Sequence, residues 1–441
     1  MSIKEIKRTL AVETIKKVGE KVKLYGWAES IRDHGKITFI DLRDRTGVVQ
    51  CVGQDILKVT SESVVEVVGE VAKRPENLVN PNMDTGKVEI KIENIDILSP
   101  SESKFPISMD QYSENESVQQ IRLDWRFLDL RHPKKRLIFQ IWTTMEQGFR
   151  NYWVENDYIE IHSPKFMGAP SESGGELFEV KYFDRKAYLA QSPQFYKQMA
   201  MAAGFERVFE VGPVFRANPS FTSRHDTEFT MYDIEISFVE SHQDVIVEEE
   251  KVIVRALAEV KDKYGSMIKA EFGQELIIPK IPFPQVTMRE AKEILEKLKV
   301  SREKEDDLSP EEERKLSEYI LKKEGHEFVF VTDYPISARP FYHMRYDSDR
   351  SLTKSFDLLW KGVEITTGAQ REHRLEVLKE QAKEKGLSLK SIKFYLDFFK
   401  YGMPPHGGCA LGPSRMLMKM FGLPNVREVT FLYRGINRLS P

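Results

Sequence analysis

Between Lys21 and Ile97 the chain alternates short apolar runs, VKLYGWA, ITFIDL, GVVQCV, SVVEVVGEV and KVEIKIENIDIL, with Gly, Asp, Asn and Pro. Runs of this length, rich in Val and Ile and bounded by turn residues, predict five strands. With no helix of comparable strength among them, they predict a small closed barrel, either an OB-fold that binds single-stranded nucleic acid or an SH3-like barrel. The polar, turn-rich LSPSESKFPISMDQYSENES that follows predicts a linker, and a second domain begins near Ile121. There KKRLIFQIWTTMEQGFRNYWVEN (134–156) spaces Ile138, Ile141, Met145, Phe149 and Tyr152 or Trp153 three to four apart, as an amphipathic helix packed on a sheet does. YIEIHSPKF predicts a strand ending at Pro164. RVFEVGPVFR (207–216) and EFTMYDIEISFVE (228–240) predict an antiparallel pair joined by a long loop. In the second of these, Tyr232, Ile234, Ile236 and Phe238 share one face, and Met231, Asp233, Glu235 and Ser237 the other. Residues 245–330 are charged and helix-rich, which predicts an insertion or peripheral lobe whose charges are mostly solvated. The strand pattern resumes in FVFVTDYP and FDLLWKGVEITTG, and the chain closes with a helix, the turn-rich PPHGGCALGPSR and another helix.

Composition narrows the class. A chain of 441 residues, 41% hydrophobic and 31% charged, is long enough for two or three domains with a large core. Cys51 and Cys409 lie far apart, which argues against a disulfide framework or a cysteine-rich zinc site and suits a reducing compartment, with cytoplasm the expectation. The opening MSIKEIKRTLAVETIKK has no apolar segment of signal-peptide length, and no window is apolar enough for a membrane span, so no membrane partner is expected. A net charge of -3 gives no global basic field, but leaves room for a local basic face that binds nucleic acid.

Four stretches carry candidate chemistry. The loop FRANPSFTSRHDTEF (215–229) can aim Arg216, Arg224 and His225 into one concave site, where guanidinium forks match phosphate or carboxylate oxygens. Surface arginines in a charged loop are the alternative. Asp357, Glu364 and Thr367 in FDLLWKGVEITTG offer hard oxygen ligands to Mg2+, or a structural ion pair. GGCALGPSR (407–415) opens a helix, so backbone donors at Gly412 together with Arg415 can meet an anion there; a plain glycine turn fits equally. The pattern is not a P-loop, so arginines would hold a nucleotide in place of a backbone cradle. QSPQFYKQMAMA sets Gln191, Gln194 and Lys197 one turn apart at a helix start; the alternative is a solvated lysine.

Together these stretches resemble class II aminoacyl-tRNA synthetases, and among them the aspartyl enzymes of archaeal and eukaryotic type. IEIHSPKF resembles their motif 1, VFRANPSFTSRHDTEFTMYDIE motif 2 and GGCALGPSRMLMKMFGLPNVREV motif 3. GWAESIRDHGKITFIDLRDRTGVVQ is similar to their anticodon-binding OB barrel. The resemblance spans almost the whole chain and implies an α+β protein: an OB-fold anticodon-binding domain over 1–103, a hinge over 104–125, and a class II catalytic domain over 126–441, an antiparallel sheet flanked by helices, with a helical insertion at about 245–330. The large insertion of bacterial aspartyl enzymes is absent.

The implied reaction joins aspartate to ATP as aspartyl-adenylate with release of pyrophosphate, then passes the acyl group to the 3′ end of tRNA-Asp. No protein nucleophile is needed, so catalysis is positioning and electrostatic stabilisation at the α-phosphate. By resemblance Arg216 contacts that phosphate and the substrate carboxylate, and Arg224 and His225 meet the outer phosphates. Arg415 grips the γ-phosphate beside adenine. Glu364, Asp357 and Thr367 resemble the Mg2+ site; Gly412 belongs to the ATP site. Glu172, in GAPSESGGELF, resembles the residue that closes over the substrate ammonium, with Gln194 nearby. The resemblance also implies a cytoplasmic homodimer.

A cationic pair, Lys197 and Arg371, would favour a carboxylate over an amide, whose NH2 meets donors with donors. Asparaginyl relatives keep the arginine but not the lysine, and tend to carry Glu where this chain has Asp233. In the barrel, Phe39 and Gln50 match positions that stack on and hydrogen-bond the central anticodon uridine, and Arg32 a backbone contact. Glu29, at a position that sorts strict from relaxed tRNA choice, is neither the usual Trp nor His, so charging of tRNA-Asn is left open. Two departures stand out: Asn218 replaces the motif 2 glutamate that accepts from adenine, and Ser414 replaces the glutamate before Arg415. The alternatives are an asparaginyl-tRNA synthetase, a nucleic-acid-binding paralogue without catalysis, and a free-amino-acid ligase resembling asparagine synthetase A. The barrel speaks against the last of these.

Overall fold

Strands form where the alternation placed them: β1 (Lys21–Asp33), β2 (Thr38–Asp44), β3 (Gly47–Gly53), β4 (Val64–Lys73) and β5 (Val88–Ser99) close a barrel in the order β1-β2-β3-β5-β4. This is the OB order rather than the SH3-like one. Its interior holds the alternate residues of each run, among them Leu24, Ile40, Val49, Val67 and Ile90. The computed structural model describes residues 6–54, 56, 59–109, 117–169, 176–219 and 222–441. The chain divides into two units, Met1–Ser108 and Met109–Pro441.

The second unit begins with two short helices, α1 (Gln119–Asp124), within the stretch expected as hinge, and α2 (Arg126–Asp129), followed by the long α3 (Pro133–Glu155). Pro133 at the first turn and the His132 side chain, which accepts from Lys134 N–H, start α3. An eight-stranded sheet follows, in the order β12-β13-β14-β15-β16-β11-β10-β6. Its strands are β6 (Ile159–Glu160), β10 (Arg207–Phe215), β11 (Glu228–Ser237), β12 (Gln285–Thr287), β13 (Phe328–Thr332), β14 (Ser355–Trp360), β15 (Val363–Arg371) and β16 (His406–Leu411). Neighbours are antiparallel except β6 with β10 and β12 with β13, so the expected antiparallel sheet has parallel pairings at both edges. A small sheet of β7 (Phe166–Met167), β8 (Glu179–Tyr182) and β9 (Arg185–Leu189) stands beside it. The strand expected in YIEIHSPKF shrinks to β6, because Ser163 Oγ donates to Glu210 Oε1 (3.0 Å) where a ladder would continue.

Remaining helices are α4 (Gln194–Ala202), α5 (His242–Phe272), α6 (Met288–Lys297), α7 (Pro310–Glu324), α8 (Leu375–Glu384), α9 (Lys393–Phe398) and α10 (Pro413–Met420). One sheet face is covered by α3, α5 and α10, where Ile141 and Phe149 meet Ile253, Leu257 and the β11 residues Tyr232, Ile234 and Ile236. The region 245–330, expected as a peripheral lobe, therefore divides: α5 is part of the main core. Its buried Val245, Ile246, Ile253, Leu257 and Val260 recur at helical spacing among the charges. Only α6 and α7 form a separate layer, packing Leu295, Leu316 and Ile320 on Val329 and Val331 of β13.

Two expectations about the last strands change. FDLLWKGVEITTG is a hairpin rather than a single strand region, because Lys361 (φ 47°) and Gly362 (φ 78°) make a turn with both central residues left-handed. The glycine-rich HGGCAL is no turn but the central strand β16. Its Gly408 has a long-range reason: a Cβ there would lie 2.1 Å from Ile234 O and 2.3 Å from Glu235 Oε2.

Candidate active site

On the sheet face opposite the main core, β11, β15, β16 and the loop after β10 wall a cavity of about 250 Å3. Gln194, Arg216, Asn218, Arg224, His225, Asp233, Glu364, Thr367, Arg371, Gly412 and Arg415 all line it, although they come from distant stretches of the chain. A larger cavity of about 860 Å3, against α6, gathers none of the expected site residues. Glu172 lies outside the described residues.

At one end the polar face of β11 sets Asp233 and Glu235 side by side, and two cations answer them. Lys197 Nζ lies 3.0 Å from Asp233 Oδ1 and 3.3 Å from Glu235 Oε2, and donates to Ile234 O (3.1 Å). Arg371 Nε donates to Glu235 Oε1 (3.0 Å) and Nη2 to Gly408 O (2.9 Å), while Nη1 reaches His343 Nε2 (3.0 Å). Gln194 Nε2 donates to Glu235 Oε2 (3.4 Å). Lys197 is completely buried, so the solvated reading fails; it also does not line the cavity, where Arg371 does. Lys197 lies beneath the wall.

Burial opposes every charge in this cluster, and pairing decides the outcome. Against burial, Asp233 and Glu235 hold the Lys197 ammonium above its usual range, and Arg371 with Lys197 holds Glu235 below its own. For Asp233 burial wins over Lys197 and its carboxyl is raised. His343 accepts from a guanidinium, so it is the Nδ1–H tautomer, and burial with Arg371 nearby keeps it neutral.

The other end is partly exposed. Arg415 Nη1 donates to Glu364 O (2.9 Å) and stands 3.4 Å from Glu364 Oε1, while its Nε donates to Arg224 O (3.4 Å). Arg224 Nη1 donates to Glu313 Oε2 of α7 at 2.5 Å. Burial, against Arg224, pushes the Glu313 carboxyl up to about 7. His225 shares a hydrogen with Thr222 Oγ1 (2.5 Å); burial and the Arg415 charge push its imidazole down to about 4, so it is neutral at pH 7. Arg216 packs over the Phe229 ring at 5.5 Å and donates to Gln191 O (3.4 Å). Among the described residues no carboxylate lies within ion-pair distance of Arg216.

The expected Mg2+ ligands are only partly assembled. Glu364 and Thr367 face the cavity and are bonded to each other, Thr367 Oγ1 donating to Glu364 Oε1 (3.1 Å). Asp357 lies opposite Thr367 in the ladder but behind the wall, with Oδ2 paired to Arg339 Nη2 (2.8 Å). Its Oδ1 is buried without a hydrogen-bond partner, an unanswered hard oxygen next to two others. Among the described residues no three His, Cys, Asp or Glu side chains form a closed metal cage. The donor set fits a Mg2+ that takes the rest of its shell from phosphates.

Sequence reading missed Glu235, Glu313, His343 and Arg339. Glu235 had a signal, since it shares a strand face with Asp233. Glu313 and His343 had none, because long-range packing brings both to the site.

In the barrel, Arg32 pairs across the ladder with Phe39, and Gln50 with Asp41, two residues on; all four share one outward face. Arg32 grips Asp41 with both forks, at 2.7 and 2.9 Å. Phe39 is half-exposed and makes an edge contact with His34, so it is not barrel core. Glu29 is tied to the buried Arg43 (2.7 Å).

Fold and site define a protein that joins a nucleic-acid-binding barrel to a catalytic sheet with an arginine-walled anion pocket. The chain belongs to the tRNA synthetases of class II (D, K and N), whose family model matches residues 118–434, while 22–98 match the OB-fold nucleic acid binding domain. It is accordingly an aminoacyl-tRNA ligase, of a class that uses ATP as substrate. It is 43% identical over 439 residues to the aspartate–tRNA(Asp/Asn) ligase of Aeropyrum pernix, covering 96% of each chain. It is 41% identical over 434 residues to the aspartate–tRNA(Asp) ligase of Pyrococcus abyssi, covering 96% of this chain and 97% of the relative. Among solved structures it resembles asparaginyl-tRNA synthetase of Pyrococcus horikoshii with asparaginyl-adenylate (TM-score 0.88, 30% identity, 99% of this chain and 100% of that one). It also resembles aspartyl-tRNA synthetase of Entamoeba histolytica (TM-score 0.85, 30% identity, 99% and 93%). Among the described residues no helix is long and apolar enough to cross a membrane.

Proposed function

We propose that the protein is an aspartate–tRNA ligase, which activates L-aspartate with ATP and transfers it to the 3′ end of tRNA-Asp. The observation that carries the choice of amino acid is the buried Lys197–Glu235–Arg371 cluster, with Arg371 in the cavity wall and Lys197 below it. An asparagine side chain would present NH2 to that donor wall, whereas a carboxylate accepts from it. Relatives named for aspartate at 43% and 41% identity support the same choice. Their names differ over tRNA-Asn, so the second tRNA is a question for assay.

The chain's own residues divide the work. Arg216, which has no described carboxylate partner, stabilises charge developing on the α-phosphate as the aspartate carboxylate attacks. Arg224, neutral His225 and Arg415 hold the outer phosphates of the leaving pyrophosphate. Asn218 offers its carbonyl to the adenine amino group, with Phe229 and Gly412 beside the base. Gln194, Asp233 and, in the region outside the described residues, Glu172 receive the substrate ammonium. Glu364 and Thr367 would hold Mg2+, with the expected Asp357 behind them on Arg339, and the ion would neutralise phosphate charge. Phe39, Gln50 and Arg32 read the anticodon of a single-stranded loop. A homodimer is supported by Trp125, Phe127 and Phe431, which are 41%, 59% and 60% exposed. Cytoplasm is the proposed compartment.

The test is charging of purified tRNA-Asp and tRNA-Asn with labelled aspartate and with labelled asparagine. Aspartate should label tRNA-Asp and asparagine neither tRNA; labelling by asparagine alone would assign the rival specificity.

A further inference from the structure

The α6–α7 layer has the sequence of a solvated appendage, yet one of its carboxylates reaches the cavity. Glu313 sits in the first turn of α7 and is only 4% exposed. Its Oε2 accepts from Arg224 Nη1 at 2.5 Å and from the backbone N–H of Glu364 at 3.2 Å. One oxygen therefore links the loop after β10 to the start of β15.

Glu313 is itself held firmly. Ser309 caps α7 with a reciprocal bond to Glu312. Lys292 of α6 pairs with Glu312 (2.7 Å) and donates to Lys304 O (2.8 Å) and Asp307 O (2.7 Å). The turn of the β14–β15 hairpin lies directly against α7: a Cβ on Gly362 would stand 2.9 Å from Arg314 Cα. Helix and hairpin are thus in direct contact at this point.

Arg224 lines the cavity, and among the described residues Nη1 is the only one of its guanidinium nitrogens with a hydrogen-bond partner. A guanidinium anchored through one nitrogen keeps Nε and Nη2 for a ligand, and loses less freedom when that ligand arrives. A phosphate oxygen is the ligand whose geometry and charge those donors match.

We propose that Glu313 is a positioning residue for the triphosphate, orienting Arg224 toward the outer phosphates, and that this is what the α6–α7 layer contributes to the reaction. The inference rests on the ATP site proposed above. It gives Glu313 no contact with substrate; its effect passes through Arg224.

Direct ATP titration by calorimetry, without amino acid, reads this independently of which amino acid is activated. Glu313→Gln should weaken ATP binding about tenfold, and Glu313→Asp, which keeps the carboxyl but shortens the reach, about threefold. Glu311→Gln, in the same turn but exposed, should change nothing. The decisive arm is the Arg224→Ala background, where Glu313→Gln should add no further loss, because its partner is gone. Unchanged ATP affinity in both Glu313 variants would overturn the proposal. So would a Glu313→Gln loss of equal size with and without Arg224, which would mark a merely structural role. Should Glu313→Gln fail to fold, the Asp variant decides alone. A wild-type protein that binds ATP but exchanges no pyrophosphate with aspartate would instead refute the proposed reaction, and leave the Glu313 result to stand on the titrations.

Discussion

At the enclosed end of the cavity the side chains of Lys197, Asp233, Glu235 and Arg371 are 0%, 3%, 0% and 4% exposed, whereas at the open end, proposed for the nucleotide, Arg224, Arg415 and Glu364 are 16%, 19% and 31% exposed. The first end balances two cations against two carboxylates inside the protein, with Gly408 keeping the space that Glu235 needs. The second leans on backbone carbonyls and one carboxylate from α7, and stays open to water. Charge differences are amplified where water is excluded. On the proposed assignment the enclosed end would tell a carboxylate from its near-isosteric amide, and the open end would admit a highly charged triphosphate and release pyrophosphate.

Breaking the enclosed end should cost most. Lys197→Leu leaves Asp233 and Glu235 buried with one cation between them, so stability should fall by about 3–5 kcal/mol, with aspartate-dependent exchange lost. A wild-type denaturation midpoint would mean that the cluster is not buried in solution. Arg371→Lys keeps the charge but loses the fork to Glu235 and Gly408 O; kcat/KM for aspartate should drop by about 2 kcal/mol, roughly thirtyfold, at unchanged KM for ATP. The open end should respond in the opposite sense. Arg415→Ala should raise KM for ATP about tenfold, about 1.4 kcal/mol, and leave KM for aspartate alone. Phe39→Ala, in the other unit, should weaken tRNA-Asp binding by about 1 kcal/mol without touching pyrophosphate exchange. An effect on exchange would remove Phe39 from tRNA contact alone.

A pH dependence at the open end is a separate test. Asp226 lines the cavity with Oδ1 buried and unpartnered, and burial pushes its carboxyl from 3.8 up to about 7. The folded protein then binds this proton more tightly than the unfolded chain, so the contribution to stability is present at low pH and lost as pH rises from about 4 to about 7. Asp226→Asn should remove that slope, about 1.4 kcal/mol per pH unit inside the window, in urea melts followed across it. An unchanged slope would mean that Asp226 ionises normally.

The barrel and the β10–β11 hairpin were legible because alternation is a local signal, and in β11 it even placed Asp233 and Glu235 on the same face. The rest was hidden by distance along the chain. β16 reads as a turn, since its Gly408 answers to Glu235 on another strand. Asp357 and Glu364 read as one ligand pair, but across the Lys361–Gly362 hairpin Asp357 stands opposite Thr367 and is taken up by Arg339. The charges over 245–330 conceal the apolar stripe that makes α5 core, and nothing local marks Glu313 among three consecutive acidic residues at the start of α7.

The most direct test of the enclosed end is ATP–pyrophosphate exchange with aspartate and asparagine in parallel, at saturating ATP. Aspartate should drive exchange in the wild-type protein with asparagine at background, and Arg371→Lys should narrow the gap. Exchange with asparagine alone, or equal exchange with both, would contradict the assignment of the Lys197–Glu235–Arg371 cluster to carboxylate recognition.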